Sequence, residues 1–154
     1  MKKWDLTGLT VIAGRPAMGA GRIAKALIER NGLGEVLLFD LSDGGSHIVT
    51  ADEVATYRAL QREKGVPVIL LSNLARRTEE EVSGSIWEGE AVPASTRPRK
   101  SDLPLAIYDI ADFVLLVYRE SYYCVNYGEK APSDFEVIGF PSQGEKFVLT
   151  NISV

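Results

Sequence analysis

The chain has 154 residues, 45% hydrophobic and 25% charged, which are the proportions of one globular domain with a real core and exclude a fibre or a disordered chain. A single Cys and a single His exclude a disulfide framework and a Cys/His-rich zinc site, and no apolar run reaches the roughly 18 residues needed to span a bilayer. The net charge of −4 is unevenly spread, with 11 basic and 8 acidic side chains in residues 1–77 against 6 and 13 in residues 78–154, so the Lys/Arg surplus that tight duplex binding requires is missing.

Leu9 to Ala13 is a short apolar run that stops at Gly14-Arg15-Pro16, the pattern of a buried strand feeding a turn. Ile23, Ala24, Ala26, Leu27 and Ile28 then recur at helical spacing, and Asn31-Gly32 offers a left-handed stop. Val36 to Phe39 reads as a second buried strand, closed by Asp40 and the turn-forming Ser42-Asp43-Gly44-Gly45. Thr50-Ala51-Asp52-Glu53 fits a capping box, opening a helix whose inner face is Val54, Tyr57 and Leu60 or Gln61.

Val66 to Leu71 is a third buried strand. Strand, helix, strand, helix, strand at this spacing predicts βαβ crossovers and a parallel sheet flanked by helices. Residues 77–104, rich in Glu, Gly, Ser, Pro and Arg, read as one long, mobile loop. Phe113 to Tyr118 is a fourth core strand. Phe135–Gly139 and Lys146–Ile152, separated by Pro141-Ser142-Gln143-Gly144, read as a closing C-terminal hairpin. The expectation is a single domain, residues 1–154, without internal repeats.

In such a sheet, chemistry belongs at the carboxyl ends of the strands, and the first turn there is Gly14-Arg15-Pro16-Ala17-Met18-Gly19-Ala20-Gly21. A glycine turn leading into a helix aims backbone N–H groups and a positive helix end at a phosphate. Gly14-x4-Gly19 has P-loop spacing, but the Lys and Ser/Thr of a working P-loop are Ala20 and Gly21. A second reading is a small Rossmann-type oxidoreductase using NAD, with Gly19 and Gly21 at the helix start and Asp40 as the ribose-binding acid about 20 residues on. Against it, the third glycine position is Ala24, and Pro16 is unusual in that turn. A bare strand-to-helix turn is the third reading. Val36 to Asp40 is also locally a Walker B pattern, four apolar residues and an acid, and an exposed strand-end Asp reads the same way. Arg15 and Arg22 offer positive charge beside the turn, or pair with neighbouring acids.

Three separated stretches bear on the choice. Leu9-Thr10-Val11-Ile12-Ala13-Gly14-Arg15-Pro16-Ala17-Met18-Gly19 resembles the phosphate-loop segment of DnaB-type replicative helicases, in which Arg-Pro-Ser-Met-Gly precedes Lys-Thr. Val66 to Arg76, with Ser72-Asn73-Leu74-Ala75-Arg76, is similar to that family's strand ending in Ser-Gln-Leu-x-Arg. Arg97-Pro98, Ser101-Asp102-Leu103 and Ala111 to Tyr123 resemble the next block, in the same order. The resemblance covers about two-thirds of the chain and implies a RecA-like ATPase core of P-loop type.

The departures from that pattern carry the functional expectation. Ala20 and Gly21 replace the loop Lys and Thr. Ser42 stands where the family has its catalytic Glu, and the stretch bearing the Walker B Asp is missing between Gly45 and Thr50. Asn73 replaces the Gln that senses the γ-phosphate, and the Lys-x-Arg finger falls at Phe140-Pro141-Ser142 with neither charge kept. An arginine finger alone is worth about 10³ to 10⁵ in turnover, so the expectation is a shortened, non-hydrolysing relative of the helicase core. The vestigial nucleotide site is then Gly14, Arg15, Pro16, Met18, Gly19, Ala20, Gly21, Asp40 and Asn73. It needs no cofactor and holds ATP or ADP weakly at most.

Arg97, Arg99 and Lys100 form the one basic cluster and are the nucleic-acid candidates, with a solvated loop as the plain alternative. His47 has no nucleophile elbow to serve and reads as a loop residue. Cys124, among Tyr122, Tyr123 and Tyr127, lacks the basic neighbours of a reactive thiol. Those tyrosines are half-buried strand-end aromatics or base-stacking platforms, and Glu79-Glu80-Glu81 is a solvated helix face or cap. The expected partner is a replicative helicase or a second copy of the chain, in the cytoplasm, with weak or no autonomous DNA binding and no membrane.

Overall fold

The computed structural model describes residues 6–15, 19–75, 98–118 and 135–152. Along the chain these form β1 (Leu9–Ala13), α1 (Ala20–Arg30), β2 (Leu37–Asp40), a 3₁₀ turn (Asp43–Gly45), α2 (Ala51–Lys64) and β3 (Val68–Ser72). A second 3₁₀ turn (Lys100–Asp102), α3 (Ile107–Ile110), β4 (Phe113–Tyr118), β5 (Phe135–Pro141) and β6 (Phe147–Ile152) follow. One six-stranded sheet runs in the order β2-β3-β1-β4-β5-β6. The first four strands pair in parallel, while β5 is antiparallel to both β4 and β6.

Helices lie on both faces. On one face Ile23, Ala24 and Leu27 of α1 pack on Ile12, Ile69, Leu71, Leu115 and Val137. On the other, Val54 and Tyr57 of α2 and Ile107 of α3 pack on Leu9, Val11, Val68, Leu70, Val114 and Leu116. Strands covered on both faces read as continuous apolar runs, which is why β1, β3 and β4 stand out in the sequence.

The α2 start has the expected capping box: Thr50 Oγ1 accepts from the Glu53 N–H at 3.1 Å, and Glu53 Oε1 accepts from the Thr50 N–H at 3.0 Å. The α1 stop falls at the expected Asn31-Gly32, with Asn31 the right-handed cap and Gly32 taking the left-handed turn at φ +60°. At the amino ends of the parallel strands, Arg58 of α2 grips Asp112 through two contacts, of 2.5 and 3.0 Å, and the Leu9 N–H donates to the same carboxylate at 2.8 Å. Partial burial works against ionisation of Asp112, but the hydrogen bonds from Arg58 and Leu9 and the charges of Arg58 and Arg62 hold its carboxyl below the usual range.

Three expectations are corrected. First, the sheet is mixed rather than parallel, because the expected C-terminal hairpin joins it antiparallel to β4 through β5. Second, β2 is an edge strand rather than a buried one: α1 crosses over β1 and β3, so Leu38, on that side of β2, stays 40% exposed while Leu37 and Phe39 pack towards α2. Third, the loop expected over 77–104 ends sooner. Pro98 is buried, and Asp102 and Leu103 are packed into the fold because the turn they form is tied to both neighbouring strand ends. Residues 77–97, Glu79-Glu80-Glu81 and Arg97 among them, lie outside the described residues, as do Cys124 and the tyrosines around it.

Candidate functional site

The direction of each crossover decides where a cleft opens. After β1 the chain leaves to α1 on one face, whereas after β3 it returns along the opposite face, where Leu74, Leu103 and Ile107 join the α2 cluster. Adjacent strands whose connections part to opposite faces leave a crevice between their carboxyl ends, the usual ligand position in an open α/β sheet. A cleft of about 370 Å³ lies there, lined by Gly14 after β1, Leu71 and Ser72 of β3, the start of α1, and Asp40, Ser42 and Gly44 after β2.

Backbone bonds zip its floor. The Gly14 N–H donates to the Ser72 carbonyl at 3.1 Å and the Leu41 N–H to the Leu71 carbonyl at 3.0 Å. Ser72 Oγ accepts from the Val49 N–H at 2.9 Å and donates to the Asn73 carbonyl at 2.8 Å, so its hydroxyl is engaged below the cleft. Gly19 caps α1 in the left-handed region, at φ +88° and ψ 23°. A Cβ there would overlap the Phe135 ring, so the turn is shaped by close packing as well as by dihedral preference. Gly19 offers no side chain to cap α1, none of the other described residues does so, and the first turn of α1 carries no acid. Its leading N–H groups and positive end are therefore left for the cleft.

Charge in the cleft is sparse. Asp40 is the one carboxylate among the described lining residues. Its Oδ1 accepts from both the Ser42 N–H (3.0 Å) and the Ser42 hydroxyl (2.6 Å), a local turn that folds the 42–45 segment over the β2 end. The Arg15 guanidinium turns away to Asp102 at 3.0 Å and to the Ala75 carbonyl at 3.3 Å. Asp102, 8% exposed, also accepts from the Arg99 N–H at 2.9 Å, and the Ala75 N–H donates to its carbonyl at 3.0 Å. Asp102 thus ties the segments after β1 and β3 to the 99–102 turn. Arg22 lies on the α1 flank with its guanidinium carbon 5.9 Å from the centre of the Phe135 ring.

Of the residues expected at a nucleotide site, the fold brings Gly14, Arg15, Gly19, Ala20, Gly21 and Asp40 to this one cleft. Asn73 is not among the lining residues: it is 6% exposed, and its N–H is bound to the His47 carbonyl at 3.1 Å. Pro16 and Met18 lie outside the described residues. Arg99 and Lys100 are exposed, but the Lys100 ammonium reaches Tyr108 and Phe140 on the α3 face rather than the cleft. Ser42, Ser72, Asp102 and Phe135 were not expected as parts of the site. Three of them carried a sequence signal without being assigned a role: Ser42 at the place of the family's catalytic Glu, Ser72 at the head of Ser72-Asn73-Leu74-Ala75-Arg76, and Asp102 within Ser101-Asp102-Leu103.

His47 is held by Glu53, Nε2 to Oε1 at 2.7 Å. That bond, with the Thr50 N–H, keeps the Glu53 carboxyl below its ordinary range. Among the described residues no three acidic, imidazole or thiol groups converge as a metal site, and no helix is long and apolar enough to cross a membrane.

The chain matches no protein-family model, and no curated protein matches it significantly.

Proposed function

We propose that this protein is a non-hydrolysing relative of the replicative-helicase ATPase core. It acts in DNA replication by binding a helicase subunit or a second copy of itself. The carrying observation is the cleft between the β1 and β3 carboxyl ends. Gly14 at the end of β1 and Gly19 at the start of α1 both line it, as a phosphate-binding turn requires, but the two positions that must supply an ammonium and a metal-binding hydroxyl are Ala20 and Gly21. Asp40, the one remaining carboxylate among the described lining residues, is committed to Ser42. Such a cleft can hold a phosphate weakly by backbone N–H groups, and it supplies nothing that stabilises a phosphoryl-transfer transition state.

The strand order favours this reading over a dinucleotide enzyme. In both common doubly wound orders strand 2 lies beside strand 1, so a ribose-binding acid at its end adjoins the glycine turn. Here β3 stands between β1 and β2, which sets Asp40 two strand spacings, roughly 9–10 Å, to the side of β1.

Two measurements on the purified chain test the proposal. Size-exclusion chromatography with the replicative helicase of the same cell, and light scattering of the chain alone, should show a hetero-complex or a self-associated species at micromolar concentration. ATP turnover should stay at background. Absence of both complexes, or turnover that copurifies with the protein and disappears in Asp40→Ala, overturns it.

A further inference from the structure

Away from the cleft, the sheet face shared by α2 and α3 runs out beyond α3 onto β5 and β6. Phe140 pairs with Val114 near the start of β4, whereas the cleft glycine Gly14 adjoins Val117 near that strand's far end. Paired residues share a face, so Val148, opposite Ile138, lies on the same side as Phe140; it is 50% exposed. Tyr108 of α3 meets the Phe140 ring edge-on at 5.3 Å. Among the described residues this part of the sheet is apolar and only partly covered, with Phe140 half-buried and Val148 exposed.

Two cations flank it. The Lys100 ammonium lies 4.9 Å from the Tyr108 ring centre and 5.9 Å from that of Phe140, and the Lys146 ammonium lies 5.8 Å from Phe140. Among the described residues neither lysine is in an ion pair. Both side chains are exposed, and Arg99 is exposed next to Lys100. Two like charges drawn to one ring repel each other, and attraction to the ring faces offsets this only modestly. A bound polyanion removes the repulsion by taking one phosphate on each lysine.

We infer that this face is a weak binding platform for single-stranded nucleic acid, with a base on Phe140 and flanking phosphates on Lys100 and Lys146. Charge complementarity calls for an anion, and the aromatic surface between the cations chooses a nucleic acid over an acidic peptide: every base has a π-face to stack, and a chain of carboxylates has none. Open sheet faces carrying aromatic side chains with basic residues at their margins read single strands in this way. The net charge of −4 keeps the affinity low and salt-dependent. The platform is separate from the cleft, so it stands or falls independently of the nucleotide reading.

The test is fluorescence anisotropy at low salt with labelled oligo(dT) and oligo(U) of about twelve nucleotides, within the usual site size, with poly-glutamate of equal charge as competitor. Binding should fall at least tenfold in Lys100→Glu/Lys146→Glu, and the slope of log K against log salt should flatten by about 1.4 in Lys100→Ala/Lys146→Ala. Phe140→Leu should weaken binding about fivefold, the order expected for losing one stacking contact, with the salt slope unchanged. Thermal melts confirm that the variants are folded; because Phe140 is half-buried, the lysine variants alone suffice if Phe140→Leu is not. No oligonucleotide binding up to millimolar protein, binding indifferent to both lysines, or displacement by poly-glutamate as effective as by unlabelled oligo(dT) would each overturn the inference.

Discussion

Gly19→Ala and Gly21→Ala, two residues apart in the same turn, should move stability in opposite directions. Gly19 sits at φ +88°, where a Cβ costs about 1–2 kcal/mol. That Cβ would also lie 2.7 Å from Phe135 Cζ, and still closer to Cε1. Phe135 is fully buried, so its ring has nowhere to retreat, and overpacking of this kind costs about 1–3 kcal/mol. Together Gly19→Ala should lose about 2–5 kcal/mol, lowering Tm by roughly 5–20 °C for a chain of this length. Gly21 is the second residue of α1, and its nearest neighbour for a new Cβ is Leu71 Cδ1 at 3.9 Å, an ordinary contact. Alanine there should gain about 0.5–1 kcal/mol from reduced backbone freedom in the unfolded chain. Urea denaturation reads both, as opposite shifts of the midpoint with an unchanged slope. If Gly19→Ala stays within about 0.5 kcal/mol of the parent, or Gly21→Ala also destabilises, the account of this turn is wrong.

Three further outcomes follow from the same contacts. Asp112→Asn should cost about 1–2 kcal/mol, a modest figure because a third of the carboxylate is open to solvent and screened. Because the folded carboxyl is held below its ordinary value of 3.8, its contribution is full above that value and is lost as pH falls through the lower, folded one; the stability gap between parent and variant should therefore narrow progressively as pH falls below that ordinary value, and a gap independent of pH across the acid range refutes the linkage. Asp102→Ala should lose about 2–4 kcal/mol by removing the buried carboxylate that Arg15 and the Arg99 N–H share, and chemical denaturation reads it directly. Ala20→Lys/Gly21→Thr should tighten ATP binding in the presence of magnesium at least tenfold by isothermal titration, a gain of about 1.4 kcal/mol, with no measurable turnover; unchanged affinity would mean that the turn does not cradle phosphate.

The sheet was legible in the sequence where burial on both faces writes an unbroken apolar run, as in Val68–Leu71 and Phe113–Tyr118. The order of the strands was not. Where a crossover lands depends on which face its helix covers, and that is decided by packing between residues such as Leu27 and Ile69, far apart along the chain. The edge position of β2 was hidden for the same reason: Leu38 is apolar, but no helix among the described residues covers it. In the cleft, Gly14, Gly19 and Asp40 announced themselves through local spacing, the scale on which motifs are written. Asp102 partners Arg15 from 87 residues away, and Lys100 and Lys146 meet at one ring from separate elements, so no local pattern joins either pair. Asn73 was placed by analogy of position alone, and its burial beside His47 takes it out of the cleft lining.

The contacts that hold the cradle's shape are distinct from those that would hold a ligand. Gly14 is fixed by the Ser72 carbonyl, Gly19 by the Phe135 ring and Arg15 by Asp102; each of these partners belongs to the protein. Ala20 and Gly21 are on the other side of this division. They line the opening; Ala20 touches the core only at its margin and Gly21 has no side chain to pack, so these two positions bear on what the cleft can hold more than on how the fold is held. Alanine is the best helix former, so its position in the first turn of α1 carries no conformational cost. Loss of Gly19 or Asp102 should therefore be felt throughout the domain, whereas a change at Ala20 or Gly21 should not. Stability measured across those four positions separates the two kinds of residue without any ligand being known.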